Sequence, residues 1–120
     1  MGEANIFSTI DPRGYEVHLT KEQYLKHIIE ESGHTTVPTQ DIQRAVEMPA
    51  IIYQSSYLSN VDVYFAKTSS IYPPLYVKVA VAVNEAEKSG EVRTSFLSKT
   101  ISGSINTEGG PKYIDYNNKL

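Results

Sequence analysis

The chain has 120 residues, 40 % hydrophobic and 21 % charged, with no Cys, no Trp, nine Tyr and a formal charge of -3. That length suits one compact domain, and the missing thiols exclude a disulfide framework, a Cys nucleophile and a Cys-ligated zinc or iron–sulfur site. A mildly acidic balance also excludes a generic basic nucleic-acid coat.

In chain order, residues 1–14 read as an arm that ends in an Asp11-Pro12-Arg13-Gly14 turn. Tyr15-Glu16-Val17-His18-Leu19 alternates as a short strand. Thr20 with Gln23 has capping-box spacing, and Tyr24, Leu25, Ile28 and Ile29 recur at helical intervals, which predicts an amphipathic helix over 21–31. Thr39 is expected to cap a second helix, 40–48, with Ile42, Ala45 and Val46 inward and Pro49 ending it.

Residues 50–54 and 61–66 read as strands around a turn at 55–60. The strongest strand signal is 75–84, where Val77, Val79, Val81 and Val83 form a core face and Tyr76, Lys78, Ala80 and Ala82 the opposite one. A charged hairpin loop at 84–90 leads to a strand at 91–97, with Val92, Thr94 and Phe96 on one face and Arg93 and Ser95 on the other. Residues 104–120 read as a polar tail, or as an edge strand at Tyr113–Tyr116. Helices gathered near the N-terminus followed by a run of strands predict an α+β fold: helices on one face of a small twisted antiparallel sheet.

The longest apolar run, near 75–83, is interrupted by Lys78 and too short for a membrane span, and no signal-peptide pattern opens the chain. The acids concentrate early: eight against four bases in 1–60, then six against seven bases in 61–120. The second half can therefore offer a locally positive surface. No phosphate-binding glycine loop, dinucleotide fingerprint or Gly-x-Ser-x-Gly elbow occurs. His18, His27 and His34 match no common metal-ligand spacing.

Read together, the run from Val17 through Leu19-Thr20, Tyr24 and His27-Ile28, the Pro49/Ile52 segment and the late Gly90-Glu91-Val92-Arg93-Thr94-Ser95-Phe96 strand form an ordered pattern. It resembles the phage-associated branch of the barnase–EndoU–colicin–RelE (BECR) nuclease superfamily over about residues 15–98. Tyr24 stands where that branch usually has Trp, and His34-Thr35-Thr36 stands for the usual His-Pro-Glu. The resemblance implies a nuclease-like domain at 15–103, a metal-independent endoribonuclease with no cofactor, often a toxin acting on tRNA or other RNA. It also implies RNA on the sheet face away from the helices, action in a cytoplasm after delivery, and a cognate immunity or antitoxin protein.

RNA can be cut without a metal because its 2′-OH is an internal nucleophile; the site then needs a proton acceptor and donor and cationic donors for the phosphorane. His27 suits the acid–base role. Lys78, facing away from the valine core, suits the phosphate. Thr94 or Ser95 supplies a hydroxyl: alternation lets one of them face the RNA, and Arg93 shares a face with Ser95. Tyr57, Tyr64 and Tyr76 are candidates for base stacking, and His34 and Arg93 for substrate binding. Two other readings fit the same residues: a non-enzymatic α+β module binding RNA or protein through its Tyr-rich sheet, and a metal-dependent hydrolase using the three His.

Overall fold

The computed structural model describes residues 5–29, 37–71 and 74–115, and of residues 27–29, 69–71 and 74 the backbone alone. It is a small α+β domain. Its strands are β1 (Asn5–Ile10), β2 (Glu16–Thr20), β3 (Ile51–Gln54), β4 (Val61–Ile71), β5 (Pro74–Asn84), β6 (Ser89–Ser98) and β7 (Tyr113–Ile114). Between β2 and β3 lie α1 (Lys21–Gln23), which continues as a π-helical segment (Tyr24–Ile29), and α2 (Thr39–Glu47).

The seven strands form one sheet in the order β1-β2-β6-β5-β4-β3-β7. The sheet is mixed, not antiparallel as the sequence suggested: β2 and β6 pair in parallel. The reason is topological. The helical connection carries the chain to the far side of the sheet, where β3 runs opposite to β2. Three reversals, β3 to β4 to β5 to β6, then return it beside β2 in the same direction.

Residues 5–10, read from the sequence as part of an arm, are β1. They pair with β2 and bury Phe7. The turn between them is organised by Asp11, whose Oδ1 accepts from the backbone N–H of Arg13 and of Tyr15, each at 2.9 Å. Gly14 takes φ +92°, open to glycine at little cost. At the other edge Tyr113–Ile114 forms β7 against β3.

Thr20 caps α1 as its spacing predicts, accepting from Gln23 N at 3.1 Å. The reciprocal half of the capping box is absent: Gln23 Nε2 instead donates to Arg93 O at 2.6 Å, tying the helix start to β6. Thr39 does not cap α2. It is the first helical residue, and Pro38 holds the cap position without a side-chain cap hydrogen bond.

Alternation divides the core. Val77, Val79, Val81 and Val83 pack with Ile52, Tyr64, Val92, Val17 and Leu19, and with Ile42, Ala45 and Val46 of α2, in one buried cluster. On the opposite face a smaller cluster forms from Ile51, Val63 and Phe65, with Tyr53, Tyr76, Ile101 and Ile105 against it. The segment after β6 thus crosses part of this outer face and leaves the rest open. No helix among the described residues is long and apolar enough to cross a membrane.

Candidate functional site

The outer face is built by β5 and β6. Their register opposes Lys78 to Phe96, Val79 to Ser95 and Ala80 to Thr94, then shifts so that Val81 opposes Val92. Arg93 is the extra residue of this bulge. It divides what alternation had grouped: Val92 faces the main core, whereas Thr94 and Phe96 face outward with Lys78.

Between the strands and the β3–β4 loop lies a cleft of about 590 Å³. Its floor is Ala80, Ala82 and Val63. Thr94 and Phe96 stand on the β6 side, Tyr57 and Leu58 on the loop side, and Lys78 and Ser104 at one end. The loop is held by Ser55, whose Oγ accepts from Tyr57 N (3.1 Å) and Leu58 N (3.2 Å).

Lys78 points away from the valines, yet it is only 6 % exposed. Its ammonium donates to the carbonyls of Ser102 (3.0 Å) and Gly103 (2.7 Å). It lies 5.6 Å from the ring centroid of Phe65 and 5.1 Å from that of Phe96, within cation–π range. Burial pushes its pKa below the ordinary lysine value. An ammonium has three donors, so two carbonyls fix the group while its capacity is not exhausted.

The remaining sequence candidates separate. Thr94 lines the cleft and Ser95 does not. Ser95 is 1 % exposed on the core side, and its hydroxyl has no hydrogen-bond partner among the described residues. Arg93 is exposed, lines the cleft and donates to Glu91 at 3.4 Å, so it does not share a face with Ser95. Tyr57 is 81 % exposed at the rim. Tyr76 is half-buried against the outer cluster.

Tyr64, proposed from sequence as a stacking residue, is fully buried on the core side. Its position in β4 opposes Val79, which fixes its face. Its hydroxyl donates to Asp11 Oδ2 at 2.6 Å and accepts from Arg13 Nη2 at 2.9 Å. Desolvation, with the Asp11 hydrogen bond, raises its pKa above the usual tyrosine value. His27 belongs to the π-helical segment, which packs against β6 beyond the point where β2 ends. Its side chain lies outside the described residues, as does His34 entirely.

Two constellations escaped the sequence reading. His18 lies on the outer face because Val17 and Leu19 are buried in the core; its Nε2 is 3.2 Å from Glu91 Oε2. The pair borders a second, open cavity of about 600 Å³ that meets the cleft at Asn60 and Ala82. The alternation that exposes Lys78 would also have exposed His18.

The other constellation is a buried charge network. Asp62, fully buried, accepts from Arg13 Nη1 and Lys112 Nζ, each at 2.8 Å, and Arg13 also bridges to Asp11 at 3.1 Å. Burial alone would lower the Arg13 pKa, but Tyr64 and Asp62 outweigh it and the pKa lies above the ordinary arginine value. An acid on the core face of β4 was the sequence signal for this network.

Among the described residues no group of three His, Cys, Asp or Glu is arranged to hold a metal ion. In comparisons with known proteins, no family model, curated protein or solved structure matches the chain.

Proposed function

We propose that the chain is a metal-independent endoribonuclease of toxin type, acting on RNA, with tRNA the leading substrate, in the cytoplasm it is delivered to and held in check by a cognate immunity protein. The carrying observation is the outer-face cleft, where an immobilised ammonium (Lys78), a threonine hydroxyl (Thr94) and a guanidinium (Arg93) adjoin an exposed tyrosine (Tyr57). The sequence resemblance to BECR nucleases supports the same face as the RNA side.

On this reading the phosphate sits near Lys78 and Thr94, whose donors stabilise the charge that grows on the phosphorane oxygens. His27 takes the proton of the attacking 2′-OH. The 2′ oxygen bonds to phosphorus, the bond from phosphorus to the 5′ oxygen breaks, and that oxygen takes a proton from solvent, to which His27 returns the one it accepted. The products are a 2′,3′-cyclic phosphate and a 5′-OH, with no change in net proton count.

The test is incubation of the purified chain with total RNA in EDTA, followed by end mapping. Fragments ending in 2′,3′-cyclic phosphate, lost in His27→Ala with an unchanged circular-dichroism spectrum, are the expected result. Intact RNA would overturn the proposal. One observation favours a binding module instead: the contacts of Lys78 with Ser102 and Gly103 serve the chain's own structure. RNA retained on the protein without cleavage would select that reading.

A further inference from the structure

We infer that the outer-face cleft is a subsite for a single unstacked nucleobase, so that the substrate is a single-stranded RNA segment and not a duplex. The inference rests on the ribonuclease reading for its ligand class.

The floor is the first argument. Ala80 and Ala82 are the smallest side chains on the outer face of β5, and between β6 and β4 they leave a flat apolar recess where longer residues would stand. Its volume, about 590 Å³, falls within the range of small-molecule sites. The flanks are the second. Phe96, Tyr57 and Leu58 are all exposed although large and apolar, and all three line this recess. Aromatic faces on an apolar floor accept any base by stacking, whereas a base within a duplex has both faces covered.

Charge complementarity is the third argument. Arg93 and Lys78 also line the cleft, where the phosphate joined to an inserted base would lie. The recess exists before any ligand arrives, because Ser55 fixes the Tyr57–Leu58 backbone and Ser104 O accepts from Ser56 N at 3.0 Å. Binding then orders little of the protein.

The probe is a short, fully 2′-deoxy, uncleavable oligonucleotide carrying one central 2-aminopurine, offered single-stranded and annealed to its complement. The single strand should bind with a change in 2-aminopurine fluorescence, and the duplex should bind at least tenfold more weakly. Ala80→Leu, which fills the floor, and Tyr57→Ala, which removes an exposed ring and is expected to leave the fold intact, should each weaken single-strand binding about tenfold or more. Equal binding of single strand and duplex, or undiminished binding by Tyr57→Ala together with a folded Ala80→Leu, would overturn the inference. Cleavage of total RNA by these variants at the wild-type rate would likewise overturn it, with the ribonuclease reading intact. Single-strand binding with the expected variant losses but no cleavage would uphold the subsite and remove the ribonuclease reading.

Discussion

Lys78 and Thr94 share the outer face of the sheet because β6 carries one extra residue, Arg93, between Val92 and Thr94. Without that bulge Thr94 would continue the face of Val92 into the core. The bulge assigns different roles to two adjacent hydroxyls. Thr94→Val should therefore abolish RNA cleavage, whereas Ser95→Ala should leave it unchanged. Because the Ser95 hydroxyl is buried without a partner among the described residues, its removal should hold stability constant or raise it by up to about 1 kcal/mol. Parallel cleavage assays and urea titrations of the two variants check both halves.

Lys78 is at once a candidate phosphate ligand and the tie that holds residues 102 and 103 on the sheet. Lys78→Met keeps most of the stem and removes both hydrogen bonds. It should cost about 1–3 kcal/mol in urea unfolding and speed hydrogen exchange at backbone amides of residues 99–105. A Met variant with wild-type stability would show that the tie contributes nothing.

Asp62→Asn removes the carboxylate that serves both Arg13 and Lys112. A half-buried guanidinium then loses a main counter-charge, and the expected loss is about 3–5 kcal/mol, measured by the shift of the urea midpoint. Lys112→Met, which leaves Asp62 paired with Arg13, should cost less.

Tyr64 contributes a pH dependence on the alkaline side. Its folded pKa is raised above the unfolded value, so its contribution is fully present below the unfolded tyrosine pKa, about 10, and is lost as pH climbs toward the folded pKa. Stability should fall on the alkaline side in the wild type and fall less steeply in Tyr64→Phe. Tyrosinate absorbance should show one phenol that ionises only when the protein unfolds.

Gly90 has no room for a side chain. A Cβ there would stand 2.7 Å from Val81 Cγ1 and 3.2 Å from Ala82 O, where β6 lies between β5 and β2. Gly90→Ala should destabilise by about 1–3 kcal/mol through forced separation of the strands, and thermal unfolding reads it directly.

The strands were legible because valine alternation in 75–84 is a local, period-two signal, and it placed Lys78 on the correct face. β1 was missed because Asn5–Ile10 is short and polar at half its positions; only pairing across the Asp11–Gly14 turn makes it a strand. The parallel β2–β6 pair joins residues more than seventy positions apart, beyond any local pattern. The bulge at Arg93 has no local mark either, since Val-Arg-Thr-Ser-Phe alternates acceptably in a straight strand. Tyr64 was misassigned for a related reason: strand periodicity gives faces in pairs, and the partner strand decides which face is core. The contacts of Lys78 come from residues 102 and 103, which the sequence shows only as polar loop.

The Asp62 network also sets an order of events during synthesis. Its two cations come from residues 13 and 112, on either side of it in the chain. A nascent chain that has made β4 and β5 holds a carboxylate facing the core with Arg13 alone to neutralise it. The second cation, Lys112, emerges nearly thirty residues after β5 ends. Completion of this domain is thus coupled to arrival of its last described segment, and a product cut short before residue 112 would carry an under-compensated charge at its centre.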